Sequence, residues 1–221
     1  MKVAVMRGRT LVSVAGLLLL GLLGLAVSGF RMGDAPRVAT FAGGCFWSMQ
    51  KAFDGVPGVI KVTAGYAGGS KGNPGYEEVE TGRTGHAESV QLQYDPAKIS
   101  YDSLLDIYWH HIDPLTKDAA FCDHGSQYRS IIFYGDAEQQ RLAEASKRAL
   151  DQSHRFASPI VTAIQPATSF YPAEEYHQYF YKKNPVRYQA YVIGCGRPAR
   201  IRELWGDGKE SRVTSREPGV K

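Results

Sequence analysis

The sequence has no C-x-x-C pair and only three cysteines in 221 residues: Cys45, Cys122 and Cys195. An odd, widely spaced set is not a disulfide framework, and a leftover thiol in an exported chain points to reactivity. Internal repeats are absent as well. No acidic residue stands before position 32, where Lys2, Arg7, Arg9 and Arg31 supply positive charge. Those four are part of the 26 basic residues, and the remainder equal the 22 acidic residues in number. The formal charge of +4 therefore belongs to the N-terminus, and the body is neutral. A neutral body has no electrostatic footprint for nucleic acid, so no nucleic-acid partner is expected.

What is present begins with an apolar run. Residues 11–27 carry no charge and follow basic residues, the pattern of a secretory signal or an uncleaved membrane anchor. The run is longer than the roughly 7–15 residues of a signal core. It lies at the short end of the roughly 17–25 residues that span a bilayer. Ala26-Val27-Ser28 offers a small-x-small cleavage pattern, and both readings stay open. No Cys follows directly, which argues against a lipoprotein. The chain divides into a signal peptide or membrane anchor (residues 1–31), a linker (32–37), one catalytic domain (38–205) and a polar, loose tail (206–221). The expected location is outside the cytoplasm, periplasmic or anchored to the membrane. At 43% hydrophobic and 22% charged residues, the composition is that of a soluble globular domain large enough to bury a core unaided.

Strands are expected at 38–42, 58–66, 86–94, 128–134 and 159–165, from short apolar or alternating runs. Helices are expected at 45–53, from Ser100 to about 112, from an Asp136 cap to about 152, and from Pro172 to just before Asn184-Pro185. Gln139 stands in the capping-box position after Asp136. Residues 68–75 are rich in Gly, with Pro and Asn, and form a loop of the kind that is often functional. The mixed order predicts an α+β fold: a two-layer α/β sandwich, ferredoxin-like in its core, with a mixed and largely antiparallel sheet.

Two residues carry the chemistry. The run 38–42, then Gly43-Gly44, then a helix, places Cys45 at a helix N-terminus. Backbone N–H groups and the helix dipole favour the thiolate there, so a lowered pKa is expected. Phe46 and Trp47 follow at once and can wall the sulfur. In the strand 86–94, Glu88 shares a face with Val90, Leu92 and Tyr94. A carboxyl on that apolar face is desolvated, holds its proton near neutral pH, and is a general-acid candidate. The segment 121–130 adds polar groups before a strand, with Asp123 as acceptor and Tyr128 as hydroxyl donor.

These residues resemble a known family. Gly43-Gly44-Cys45-Phe46-Trp47 is similar to the active-site turn of the A-type peptide methionine sulfoxide reductases. The likeness continues through Pro57-Gly58-Val59, Gly65-Tyr66-Ala67-Gly68-Gly69, Thr84-Gly85-His86-Ala87-Glu88 and Gln127-Tyr128-Arg129-Ser130, to Tyr176-His177-Gln178 and Asn184-Pro185. The resemblance implies that Cys45 attacks the sulfoxide sulfur and that Glu88 protonates its oxygen. It implies a substrate pocket of Phe46, Trp47, Tyr76, Asp123 and Tyr128. Phe46 and Trp47 enclose the methyl group, Tyr76 and Tyr128 hydrogen-bond the oxygen, and Asp123 holds the polar end. Substrates would be the S epimer of methionine sulfoxide, free or in oxidised proteins, acted on by a monomer. No metal and no cofactor are implied; the reductant is an external dithiol such as thioredoxin. Cys45 would leave as a sulfenic acid for a second thiol to resolve. Cys195, between Gly194 and Gly196, is the first candidate for that role and Cys122 the second, with an external thiol as the third possibility. Family members often carry the recycling Cys sooner after Asn-Pro, so this assignment departs from the pattern. Ser48 and Gln50 are smaller departures.

Three rivals differ in testable ways. An exported hydrolase using Cys45 with His86, His124 or His177 would consume no reductant. His86-Ala87-Glu88 opens a zinc deaminase signature, but the required P-C-x-x-C is missing. A tethered binding module would hold Cys45 as an inert core thiol.

Overall fold

A computed structural model describes residues 35–206. The segment 1–31, the first half of the 32–37 linker and the tail beyond Gly206 lie outside the described residues. Among the described residues no helix is long and apolar enough to cross a membrane.

The elements run β1 (Arg37–Ala42), α1 (Phe46–Phe53), β2 (Val59–Ala67), α2 (Tyr76–Glu80), β3 (Ala87–Tyr94) and α3 (Tyr101–His110). A small hairpin of β4 (Ala119–Ala120) and β5 (Asp123–His124) follows, then a 3₁₀ turn (Ser126–Tyr128). The chain continues with β6 (Ile131–Tyr134), α4 (Ala137–Gln152), β7 (Ala163–Pro166), β8 (Tyr171–Pro172), α5 (Phe180–Lys183), α6 (Pro185–Gly194) and α7 (Arg197–Trp205). Six strands form one sheet in the order β7-β6-β1-β3-β2-β8, and β4 pairs only with β5. Every pairing is antiparallel except the parallel β6–β7 contact. This is the mixed, largely antiparallel α+β sandwich that the element order predicts.

The period-two rule sorts the sheet's two faces. On one face Phe41, Val62, Tyr66, Val90, Leu92 and Ile132 join Phe46, Met49 and Phe53 of α1 and Leu104, Leu105 and Tyr108 of α3 in the main core. Phe41 anchors it, stacked on Phe53, Tyr101 and Tyr108 with ring centroids 5.6, 6.0 and 5.0 Å away. The other face holds a smaller cluster of Ala42, Ala67, Ala87, Ile131 and Phe133. Glu88 follows Ala87 in β3, so its side chain lies on the face of the larger core, beneath α1.

Two helix starts follow from their caps. Ser100 Oγ accepts the Ser103 N–H, and an Asp136 carboxylate oxygen accepts the Gln139 N–H at 2.8 Å. Gln139 does not close the reciprocal box; its Oε1 accepts the Gly135 N–H and its Nε2 donates to the Val38 carbonyl.

Several expectations are corrected. Pro172 does not start a helix: Tyr171 and Pro172 pair with Tyr66 and Gly65 at the sheet edge, where a missing N–H costs no ladder bond. The strands expected at 128–134 and 159–165 shorten to β6 and β7, with Tyr128 in the 3₁₀ turn. Helices α2, α6 and α7 were not anticipated. The β8–α5 connection is organised by Gln178. Its Nε2 donates to the carbonyls of Ala64 and Ala173, and its Oε1 accepts the Ala64 N–H and the Gln50 Nε2. Gln178→Leu leaves these groups unpaired in the interior, and we expect a loss of about 2–4 kcal/mol. Denaturant unfolding checks it: the midpoint falls while the slope is unchanged.

Candidate active site

Every residue anticipated for the pocket lines one cavity. Cys45, Phe46, Trp47, Tyr76, Glu88, Asp123 and Tyr128 surround about 310 Å³ of space, together with Glu80, Arg187 and Tyr191. The turn that delivers Cys45 depends on Gly44, which sits at φ +86°. A Cβ there would also come within 2.6 Å of the Ala120 Cβ, so only glycine fits.

Cys45 is the N-cap of α1, and its carbonyl accepts the N–H groups of Ser48 and Met49. The Phe46 N–H points at Glu88 Oε2, 2.9 Å away, and the Cys45 side chain makes no capping hydrogen bond. Cys45 is only 7% exposed. Burial pushes its thiol up, and the carboxyl groups of Glu88 and Asp123 add to the effect, against the neighbouring Tyr191 hydroxyl and Trp47 backbone. The expected lowering of this pKa is therefore corrected. Desolvation and two acids outweigh the helix terminus in the resting site.

Glu88, 3% exposed, is pushed up to about 8 by burial, although the Phe46 N–H partly opposes this. It is a neutral acid at neutral pH, able to give a proton to an oxygen in the cavity.

The other walls are held from outside the cavity. Tyr76 opens α2, and its N–H donates to Glu174 Oε1 while Tyr66 holds Oε2. Tyr128 ends the 3₁₀ turn, fixed by Gln127 Nε2 on the Glu80 carbonyl and by Arg129 on the carbonyls of Ser126 and Gly85. Trp47 stacks on Phe180 with centroids 3.7 Å apart, and its indole N–H donates to His177 Nδ1 at 3.1 Å. His177 is thus neutral with its proton on Nε2, and burial pushes it down to about 4. Asp123 accepts the Tyr191 hydroxyl at 2.5 Å, and burial pushes its carboxyl up.

Tyr191 and His177 had no assigned part in the pocket. Helix α6 brings Tyr191 to Asp123 and to the Cys45 sulfur. The signal for it lies in the register Tyr188, Tyr191, Cys195, one helical face, but only once 185–194 is known to be helical.

Cys122 and Cys195 form a disulfide across 73 residues, and Cys45 is the free thiol. The choice between Cys195 and Cys122 is thereby recast, because the two are partners. Cys122, at the tip of the β4–β5 hairpin, is exposed.

His86 and His177, named for the rival chemistries, are engaged elsewhere. His86 clamps the Gly-rich loop: its Nδ1 accepts the Gly69 N–H and its Nε2–H donates to the Lys71 carbonyl. A Cβ on Gly69 would fall 2.4 Å from the His86 ring. His110 and His111 bond to separate helical carbonyls, those of Asp106 and Ile107. His177 faces Trp47.

The family model for peptide methionine sulfoxide reductase matches residues 37–209. The chain belongs to the peptide methionine sulfoxide reductase family. It is 51% identical over 176 residues to the peptide methionine sulfoxide reductase MsrA of Bacillus pumilus, covering 80% of this chain and 99% of that one. It is 52% identical over 172 residues to the MsrA of Listeria monocytogenes, covering 78% and 97%. Among solved structures, methionine sulfoxide reductase A of Corynebacterium diphtheriae superposes with a TM-score of 0.63 at 32% identity, covering 71% of this chain and 78% of that one. Mxr1 of Saccharomyces cerevisiae in reduced form gives 0.63 at 31%, covering 69% and 87%. Membership makes the chain an oxidoreductase of oxidised methionine, and the hydrolase reading falls.

The position of Glu88 sets a pH dependence. Its proton is present below about pH 8 and lost above it, so sulfoxide reduction should fall as pH rises through about 8. Glu88→Gln keeps the shape and removes the acid. We expect kcat to drop about 10²–10⁴-fold and the limb near pH 8 to disappear, in a pH–rate series on both proteins.

Proposed function

We propose that this chain reduces methionine-S-sulfoxide, free or within oxidised proteins, with Cys45 as the attacking sulfur and Glu88 as the acid. The observation that carries the reading is the single cavity that joins a free thiol, a protonated carboxyl and an aromatic wall. Glu88 gives its proton to the sulfoxide oxygen as Cys45 attacks the sulfur. The attack forms an S–S bond to Cys45; the hydroxyl then passes to the Cys45 sulfur as the substrate's sulfur–oxygen bond and the S–S bond break, so the thioether leaves and Cys45 is a sulfenic acid. The thiol proton of Cys45 restores Glu88, so the step moves one proton from sulfur to oxygen with no net change of charge. Phe46 and Trp47 take the methyl group, the hydroxyls of Tyr76 and Tyr128 reach the oxygen, and Asp123 holds the polar end through Tyr191.

Recycling runs through the other two cysteines. With Cys122 and Cys195 reduced, one attacks the sulfenic acid, releasing water and forming a disulfide to Cys45. The other then displaces the Cys45 thiolate, leaving the Cys122–Cys195 bond. A thioredoxin-type dithiol reduces that bond and takes up the disulfide itself. The exposure of Cys122 supports an external attack there. The uncharged run at 11–27 behind basic residues supports export, as a cleaved signal or an anchor, so that the enzyme repairs oxidised proteins outside the cytoplasm.

Turnover on the two sulfoxide epimers with thioredoxin tests the proposal. Cys45→Ser should be inactive on both, and the wild type should consume the S epimer alone. Cys122→Ser and Cys195→Ser should each produce about one equivalent of methionine per enzyme and then stall. Undiminished steady-state turnover by both variants would remove the relay from the mechanism.

A further inference from the structure

Arg197 is a charged side chain in the interior that the mechanism above leaves unused. It opens α7 and is 8% exposed. Its Nη2 donates to the His111 carbonyl at 2.5 Å. Its guanidinium lies over the Phe121 ring, 4.1 Å from the centroid. Its Nη1 is buried and has no hydrogen-bond partner. That unpaired group lies beside the active-site turn, since a Cβ built on Gly44 would be 3.8 Å from it. The residue it is fixed against, Phe121, precedes Cys122, and Arg197 itself follows Cys195 by two positions.

A buried guanidinium with a free N–H is costly unless negative charge lies within reach. The groups around Cys45 include Glu88 on β3, Asp123 on β5, Tyr76 on α2, Tyr128 in the 3₁₀ turn, and Tyr188 and Tyr191 on α6. Glu80 and Arg187 also line the cavity, and Arg187 is exposed. A thiolate forming among acids and phenols is opposed unless a desolvated cation stands near. We propose that Arg197 is a positioning residue for the reaction: the buried cation that stabilises the Cys45 thiolate from behind the Gly43-Gly44 turn. The proposal rests on Cys45 as the attacking sulfur and extends that reading to a residue of the C-terminal helices. Burial pushes the Arg197 guanidinium down, and Cys45, Tyr191, Tyr188 and Asp123 oppose that. Arg197 packs on Phe121, next to Cys122, and stands two residues after Cys195, so it lies beside both cysteines of the relay.

Alkylation of the disulfide-bonded protein isolates the effect, because Cys45 is then the free thiol of the chain's three cysteines. Iodoacetamide labelling is followed against pH for wild type, Arg197→Gln and Arg197→Lys. Arg197→Gln should raise the midpoint by about one pH unit, a roughly tenfold slower labelling below it. Arg197→Lys keeps the charge and should recover most of the shift. A structural role alone lowers stability in both variants and leaves the midpoint in place. An unmoved midpoint in folded Arg197→Gln overturns the proposal. If circular dichroism finds Arg197→Gln unfolded, Phe121→Leu takes its place. It releases the guanidinium while keeping the charge, and should give a smaller shift in the same direction; no shift again overturns the proposal. Failure here is distinct from failure of the Cys45 reading, which only sulfoxide turnover by Cys45→Ser would bring about.

Discussion

The hydrogen bond from the Phe46 N–H to Glu88 Oε2 is the contact on which the site depends. It joins the first turn of α1 to the buried face of β3 across 42 residues, and it fixes the acid next to the residue that follows the nucleophile. The N–H is one of the orphan donors of a helix start, and the carboxyl is buried. The contact also commits a donor of the helix terminus: the Phe46 N–H steadies the acid and is withheld from the sulfur.

The C-terminal helices close the site from the other side, with two ties between the same partners. Tyr191 on α6 bonds to Asp123, and Cys195 at the end of α6 bonds to Cys122 next in sequence to Asp123. Reduction of the disulfide removes one tie and leaves the hydrogen bond. The helix can then be displaced without being lost, which the relay requires, since a recycling sulfur has to travel to Cys45 and return. Stacking of Trp47 on Phe180 and its bond to His177 hold the aromatic wall while that happens, because they draw on the β8–α5 connection and not on α6.

The parts of this arrangement legible in the sequence are those set by local rules. Alternation along 86–94 places Glu88 on the core face, and a strand followed by Gly43-Gly44 places Cys45 at a helix start. The strand order in space was not legible, though its mixed character was. Pro172 reads as a helix opener because proline suits the first turn, and the competing use, an edge strand, is visible only when β2 is known to lie beside it. Tyr191, Arg197 and Gln178 act through partners 68, 86 and 114 residues away, which no local pattern reveals. The ionisation of Cys45 was misjudged for a related reason. The helix terminus is a local feature, whereas burial and the approach of Glu88 and Asp123 are properties of the assembled fold.

A raised thiol and a raised carboxyl in one cavity suit the reaction better than a standing ion pair. Reduction of a sulfoxide to a thioether with a sulfenic acid as co-product transfers one proton from sulfur to oxygen and creates no net charge. A Cys45–Glu88 pair that rests neutral binds the neutral substrate without first discharging an ion. Charge then separates only as the sulfur–oxygen bond weakens, when the thiolate forms within reach of Arg197 and the oxygen takes its proton from Glu88. Interactions of that kind strengthen in the transition state more than in the ground state, and it is this difference that lowers the barrier. The same logic explains why the acid and the cation hold different partners, the Phe46 N–H and the His111 carbonyl. Were Arg197 paired with Glu88, the carboxyl would fall back to its ordinary range and have no proton to give.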